Sequence, residues 1–166
     1  MTLTVRAYEP ASDADWLLAL NNTYVREICE ETPESLRAVL GQALATRVAE
    51  RDGARAGAVV LIPRGLPDYE SLNYRWFMDQ SDEDFLYVDR VMVSSDAKGG
   101  GIGRALYEDA GRIAKARGIP RITCEVNEDP PNPASVAFHE RMGFRPLASR
   151  YNPISRKTVL MMEKRL

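Results

Sequence analysis

The sequence predicts an α/β domain with a mixed, mostly antiparallel sheet of about seven strands flanked by about four helices. Two observations point there. Stretches of strand-like and helix-like periodicity follow one another in the order β-α-α-β-β-β-α-β-α-β-β. The strongest strand, residues 85–93, leads through a glycine cluster and an amphipathic helix to another strand, residues 121–126, which calls for a right-handed parallel crossover. The other strands are joined by short turn signals and read as antiparallel hairpins. At 166 residues, with no repeat and no linker-like stretch, the chain is expected to form a single domain over residues 1–166.

Each element has its own signal. Residues 3–8 alternate apolar and polar, as a strand does. A first helix is expected after the Pro10 break, capped by Ser12 or Asp13 and carrying Trp16, Leu17 and Leu20 toward Ile28. Thr32 and Pro33 read as the N-cap and first position of a second helix through Leu36, Val39 and Leu40. Residues 46–50 and 56–63 form a hairpin about Asp52-Gly53. Residues 65–84 hold Tyr69, Tyr74, Trp76 and Phe77 without a clean period and read as a long irregular connection. Ile102, Leu106, Ala110, Ile113 and Ala114 form one helical stripe that ends at Gly118. Asn132 and Pro133 open another helix, Gly143 stops it, and residues 144–151 and 157–164 close the fold as two strands.

Composition narrows the function. The net charge of −2 lacks the basic surplus of a nucleic-acid binder. No apolar run reaches the length of a membrane span and no leader pattern opens the chain, so a cytoplasmic protein without membrane or nucleic-acid partners is expected. Two cysteines, Cys29 and Cys124, read as reduced and buried. One histidine, with no Cys/His cluster, argues against a metal site.

The chemistry is concentrated at Lys98-Gly99-Gly100-Gly101-Ile102-Gly103-Arg104, between strand and helix. Glycines let backbone N–H groups converge there, and the helix start adds unpaired N–H groups, which together suit a phosphate. A P-loop needs Lys-Ser or Lys-Thr where Arg104 and Ala105 stand, and a dinucleotide fingerprint needs a glycine or alanine where Leu106 stands.

Val91-Met92-Val93 followed by Lys98-x-x-Gly101-x-Gly103 and a helix resembles the acyl-CoA signature of the GNAT N-acetyltransferase superfamily. Asn132-x-x-Ser135-x-x-Phe138-His139-Glu140-Arg141-Met142-Gly143-Phe144 resembles its downstream stretch. The resemblance implies a GNAT-like fold and an acyltransferase moving acetyl from acetyl-CoA to a primary amine by direct attack. It implies that the backbone of Val91, Met92 and Val93 pairs with the pantetheine arm. Lys98, Gly99, Gly100, Gly101, Ile102, Gly103 and Arg104 would hold the pyrophosphate, with Asn132, Asn127, Ser135 and Phe138 beside the cofactor. Two departures stand out: Lys98 where the family has arginine or glutamine, and His139 where many members have tyrosine.

Transfer requires a neutral amine, and alkyl amines are mostly protonated at pH 7. Asp89, near the family's acidic position, is the candidate base; its other reading is an ion-pair partner. His139 is the candidate acid for the departing thiolate, against a reading as a structural histidine. Tyr24, Tyr74, Trp76 and Glu125 are the candidate walls of the acceptor site. The acceptor, a small-molecule or peptide amine, is not named by the sequence, and a homodimer through the last strands stays open. The alternative function is a non-catalytic acyl-CoA sensor.

Overall fold

The computed structural model describes residues 1–166. Its elements are β1 (Leu3–Ala7), α1 (Pro10–Asn22), α2 (Pro33–Gln42), β2 (Ala45–Arg51), β3 (Ala54–Pro63), α3 (Leu72–Gln80), β4 (Leu86–Val93), a short 3-10 turn at Ser95–Ala97, α4 (Ile102–Ala116), β5 (Arg121–Asp129), α5 (Pro133–Arg141), β6 (Arg145–Asn152) and β7 (Lys157–Arg165). The seven strands run in the order β1-β2-β3-β4-β5-β7-β6. The β4–β5 pairing is parallel, at Leu86↔Ile122 and Tyr87↔Thr123. The β1–β2, β2–β3, β5–β7 and β6–β7 pairings are antiparallel. The α/β class and the mixed, mostly antiparallel sheet are as expected.

Three local readings are corrected. Residues 65–84 are not wholly irregular, because α3 lies inside them, giving five α-helices. Ser71 caps it by accepting from the Tyr74 N–H at 3.2 Å, and Asn73, Tyr74 and Phe77 form its buried side. The first helix starts earlier and ends earlier than expected. Glu9 is its N-cap, Pro10 occupies the first turn, where its missing N–H costs nothing, and the helix ends at Asn22. Cys124 is buried but Cys29 is exposed. The caps at Thr32 and Asn132 are as the sequence indicates.

The chain forms two compact units, one of Met1–Ile62 with Val88–Ala110 and one of Pro63–Tyr87 with Gly111–Leu166. In the first, Leu17, Leu20, Leu36, Ala58 and Met92 make an apolar core that joins α1 and α2 to the sheet. Gly57 of β3 has no room for a side chain: a Cβ there would lie 2.7 Å from both the Ile102 side chain and the Met92 carbonyl oxygen. This close approach seats the start of α4 on the sheet.

Asp13, fully buried, anchors α1 to β1. It accepts from both Arg6 Nη1 (2.7 Å) and Nη2 (2.9 Å) and from the Glu9 N–H (2.9 Å). The Arg6 hydrogen bonds hold its carboxyl at a pKa of about 2, against a usual 3.8. A depressed carboxylate pKa stabilises the fold fully above the unfolded value, and that stability is lost as pH falls through the folded one. Asp13→Asn is therefore expected to cost about 2 kcal/mol at neutral pH in urea unfolding. The deficit should shrink as pH falls from about 4 toward 2.

In the second unit, Tyr69, Tyr74, Phe77, Phe85 and Tyr87 pack as a buried aromatic cluster. Glu163 of β7, also buried, meets Arg121 (3.0 Å), Arg145 (2.5 Å) and Arg165 (3.3 Å). Burial pushes its pKa up, but the hydrogen bonds from Arg145 and Arg121 outweigh this and leave it lowered.

Candidate active site

The first unit carries the strand rim and the glycine turn. From Asp89 onward β4 alternates strictly: Asp89, Val91 and Val93 are half-buried, while Arg90 and Met92 are buried. The glycine turn follows the 3-10 turn. Gly99 and Gly101 both have φ of 78°, and nothing lies within 4 Å of where a Cβ would stand on either. At this φ a β-carbon is strained, and its absence leaves open space over the backbone. The opening N–H groups of α4, on Ile102, Gly103 and Arg104, have no partner inside the helix. Gly100 differs: its N–H donates to the Ala97 carbonyl at 3.2 Å, so it shapes the turn rather than lining the cradle as expected. The Ile102 side chain is buried, which leaves only its backbone for binding.

Cations surround the turn. Lys98 and Arg104 are exposed. Arg51, from the end of β2, donates Nη2 to the Asp96 carbonyl at 3.2 Å, and its Nη1 stands 2.9 Å from the Cβ position of Gly100. A glycine turn, a helix start and three cations fit the diphosphate of a coenzyme A.

Asp89 stands in a polar cluster. Its Oδ2 accepts from Arg90 Nε at 2.6 Å. Arg90 Nη1 donates to Asn21 Oδ1 at 2.6 Å and to Glu31 Oε1 at 3.1 Å. Burial raises the Asp89 pKa, against the opposing pull of Arg90. The carboxylate is therefore both an ion-pair partner and a stronger base than an exposed aspartate. Tyr24, expected as an acceptor wall, lies on the strand rim instead. Its hydroxyl donates to the Val93 carbonyl and accepts from the Val93 N–H at 3.3 Å.

The second unit carries the remaining candidates. Asn132 Oδ1 accepts from the Ser135 N–H at 3.3 Å, capping α5, and the Asn132 N–H donates to the Asn127 carbonyl at 3.2 Å. His139 is buried edge-on between Phe138 and Phe144, with centroids 5.3 and 5.4 Å away. Its Nδ1 lies 2.7 Å from the Ser135 carbonyl, which can only accept, so the neutral ring carries its proton there. Burial lowers its pKa. Burial thus disfavours the charged ring, and its Nδ1 proton is directed at that carbonyl. This arrangement suits the structural reading of the histidine better than the acid role.

The same burial predicts a pH effect. The unfolded imidazole titrates near ~6.5. Below that pH the unfolded chain takes a proton that the folded chain resists, so stability falls as pH drops. His139→Phe should flatten this acid-side loss, as read from urea midpoints above and below pH ~6.5. An equal loss in the variant would contradict the assignment.

Tyr74 is also corrected. It is 1% exposed, and its hydroxyl donates to the Pro63 carbonyl at 2.7 Å and accepts from the Leu66 N–H at 3.1 Å. It packs the aromatic cluster and cannot wall an open site. Trp76 is half-buried with the Arg150 guanidinium 5.6 Å over its ring. With Asp79 and Tyr151 it lines a pocket of about 260 Å³. The Glu125 carboxylate accepts from the Tyr87 hydroxyl, with its oxygens 2.7 and 2.8 Å away.

The sequence matches the Acetyltransferase (GNAT) family over residues 12–144. The chain belongs to the GNAT family. It is 30% identical over 155 residues to a mycothiol acetyltransferase of Salinispora tropica, covering 90% of this chain and 47% of that protein. The GNAT chain thus spans about half the length of this curated relative. The structure resembles a ribosomal-protein-alanine N-acetyltransferase from Brucella melitensis at a TM-score of 0.74 and 24% identity, covering 98% of this chain and 99% of that one. It resembles a chain of the NatC complex bound to Gag peptide and CoA at a TM-score of 0.77 and 16% identity, covering 100% and 99% of the two chains.

Sequence reasoning missed several residues of this GNAT chain. Arg51 lies far from the glycine turn in sequence, so nothing local marks it. Arg90, Asn21 and Glu31 meet only once α1 packs against β4. Gly57 carried a readable signal, a lone glycine within an apolar strand.

Proposed function

We propose that the 1–166 span acts as one acetyltransferase domain that transfers an acetyl group from acetyl-CoA to a primary amine. The observation that carries this is the open glycine turn at Gly99 and Gly101, closed by the start of α4 and flanked by Lys98, Arg51 and Arg104. The N–H groups of Gly99, Gly101, Ile102, Gly103 and Arg104 hold the diphosphate. The backbone of Val91, Met92 and Val93 pairs with the amide-bearing arm as an added strand would. In the second unit, Asn127, Asn132, Ser135 and Phe138 are the candidates that the family resemblance gives for a cofactor role.

Bound acetyl-CoA supplies an activated acyl group. The amine nitrogen bonds to the acyl carbon, the carbon–sulfur bond breaks, and the amine loses a proton. Asp89 receives that proton at its carboxylate, which burial makes a better base. His139 takes its structural reading here, buried against Phe138 and Phe144 and bonded to the Ser135 carbonyl. In the second unit, Trp76 and Glu125 are the candidate acceptor residues, and the acceptor is a small-molecule or peptide amine.

The second reading, a non-catalytic acyl-CoA sensor, is favoured by one observation: His139, at the family's acid position, is buried and directs Nδ1 to the Ser135 carbonyl. Thiol release from acetyl-CoA over a panel of amines and peptides separates the two. Acceptor-dependent release is the expected result. Tight coenzyme A binding without release on any acceptor favours the sensor.

A further inference from the structure

In the first unit Tyr24 meets two residues of the proposed cofactor site, Val93 and Lys98, and no step of the transfer uses it. Its hydroxyl makes two hydrogen bonds to a single residue, with the carbonyl and the N–H of Val93. In a strand, both main-chain groups of one residue point to the same edge, and those of the next residue point to the other. The Ser94 N–H donates to Ala56 of β3 at 2.8 Å, so the Val93 groups face the edge away from β3. Val91 and Val93 share that edge, which is the rim proposed to pair with pantetheine. The Tyr24 ring meanwhile carries the Lys98 ammonium 5.6 Å from its centroid, within cation–π range. One side chain therefore engages both the strand rim and the lysine of the glycine turn.

The segment bearing Tyr24 is held at its far end. Asn22 brackets Glu31 by accepting from its N–H and donating to its carbonyl, both at 3.0 Å. Asn21 donates to the Cys29 carbonyl at 3.0 Å and accepts from Arg90. Next to Tyr24, the N–H groups of Glu27 and Ile28 donate to the Tyr24 carbonyl at 2.9 and 2.8 Å. A displaced Tyr24 would pull directly on this turn.

We propose that Tyr24 is a built-in competitor for the cofactor: its hydroxyl stands in for a pantetheine amide on Val93, and cofactor binding displaces it and shifts the segment that carries it. This rests on the acyl-CoA reading and deepens it.

The test is coenzyme A affinity without acceptor, in wild type and Tyr24→Phe, by calorimetry. Phenylalanine keeps the ring under Lys98 and removes only the hydroxyl. The expected result is about threefold to tenfold tighter binding by the variant, the reach of one or two net hydrogen bonds. Equal or weaker binding overturns the proposal. Hydrogen exchange on the wild-type protein gives an independent reading. Saturating coenzyme A should speed exchange at the amides of Glu27 and Ile28, and unchanged exchange there also overturns it. Failure of the wild type to bind coenzyme A at all would instead overturn the acetyltransferase reading.

Discussion

Gly101→Asp is expected to abolish coenzyme A binding while leaving the protein folded. Gly101 has a φ of 78°, a region that aspartate tolerates better than most L-residues. Open space surrounds the Cβ position, so the cost to the fold is the backbone strain of a side chain at this φ, about 1–2 kcal/mol, and not a clash. The consequence is electrostatic and steric: a carboxylate enters the space proposed for a diphosphate, where its charge repels the ligand and its bulk covers the N–H groups of α4. A loss of at least ~100-fold in affinity is the expected magnitude, equivalent to about 2.8 kcal/mol. Calorimetry with the thermal melt run alongside checks it. Near-normal affinity in a folded variant would remove the turn as the anion site.

Asp89→Asn is expected to lower kcat by about 10²–10⁴-fold, the range for loss of a positioned base, with coenzyme A affinity little changed. The side chain keeps its size, and Arg90 keeps Asn21 and Glu31 as partners. Glu125→Gln is the paired measurement. As an acceptor wall, Glu125 should affect the amine KM more than kcat. The opposite split, with kcat lost at Glu125 and kept at Asp89, would transfer the base to the carboxylate held by Tyr87 and leave Asp89 as an ion-pair anchor.

The elements around the proposed cofactor site were legible in sequence because each announces itself locally. β4 is a dense apolar run, the glycine turn has no periodicity, and Thr32-Pro33 and Asn132-Pro133 are cap pairs whose chemistry needs no tertiary partner. α3 was illegible because its apolar side is short and aromatic, and its Ser71 cap sits in a stretch that otherwise reads as loop. The start of α1 was misplaced because Pro10 reads as a break, although proline is equally at home in a helix's first turn.

The family was legible from the glycine turn and the stretch after Asn132, while the surroundings of individual side chains were not. Glycines and a helix start specify an anion without help from distant residues. The state of a titrating group depends on what packs around it. No local pattern shows that His139 is walled by two phenylalanines and bonded to Ser135, that Tyr74 is sealed in the core, or that Tyr24 lies on Val93.

The central claim is that coenzyme A binds along the β4 rim and the glycine turn. Backbone amide NMR during titration with coenzyme A tests it most directly. Saturable shifts are expected at Val91, Val93, Gly99 and residues 101–104, with smaller changes at Arg37 and Leu40, which line a separate cavity of about 710 Å³. Shifts confined to that cavity, or none at saturating ligand, would contradict it.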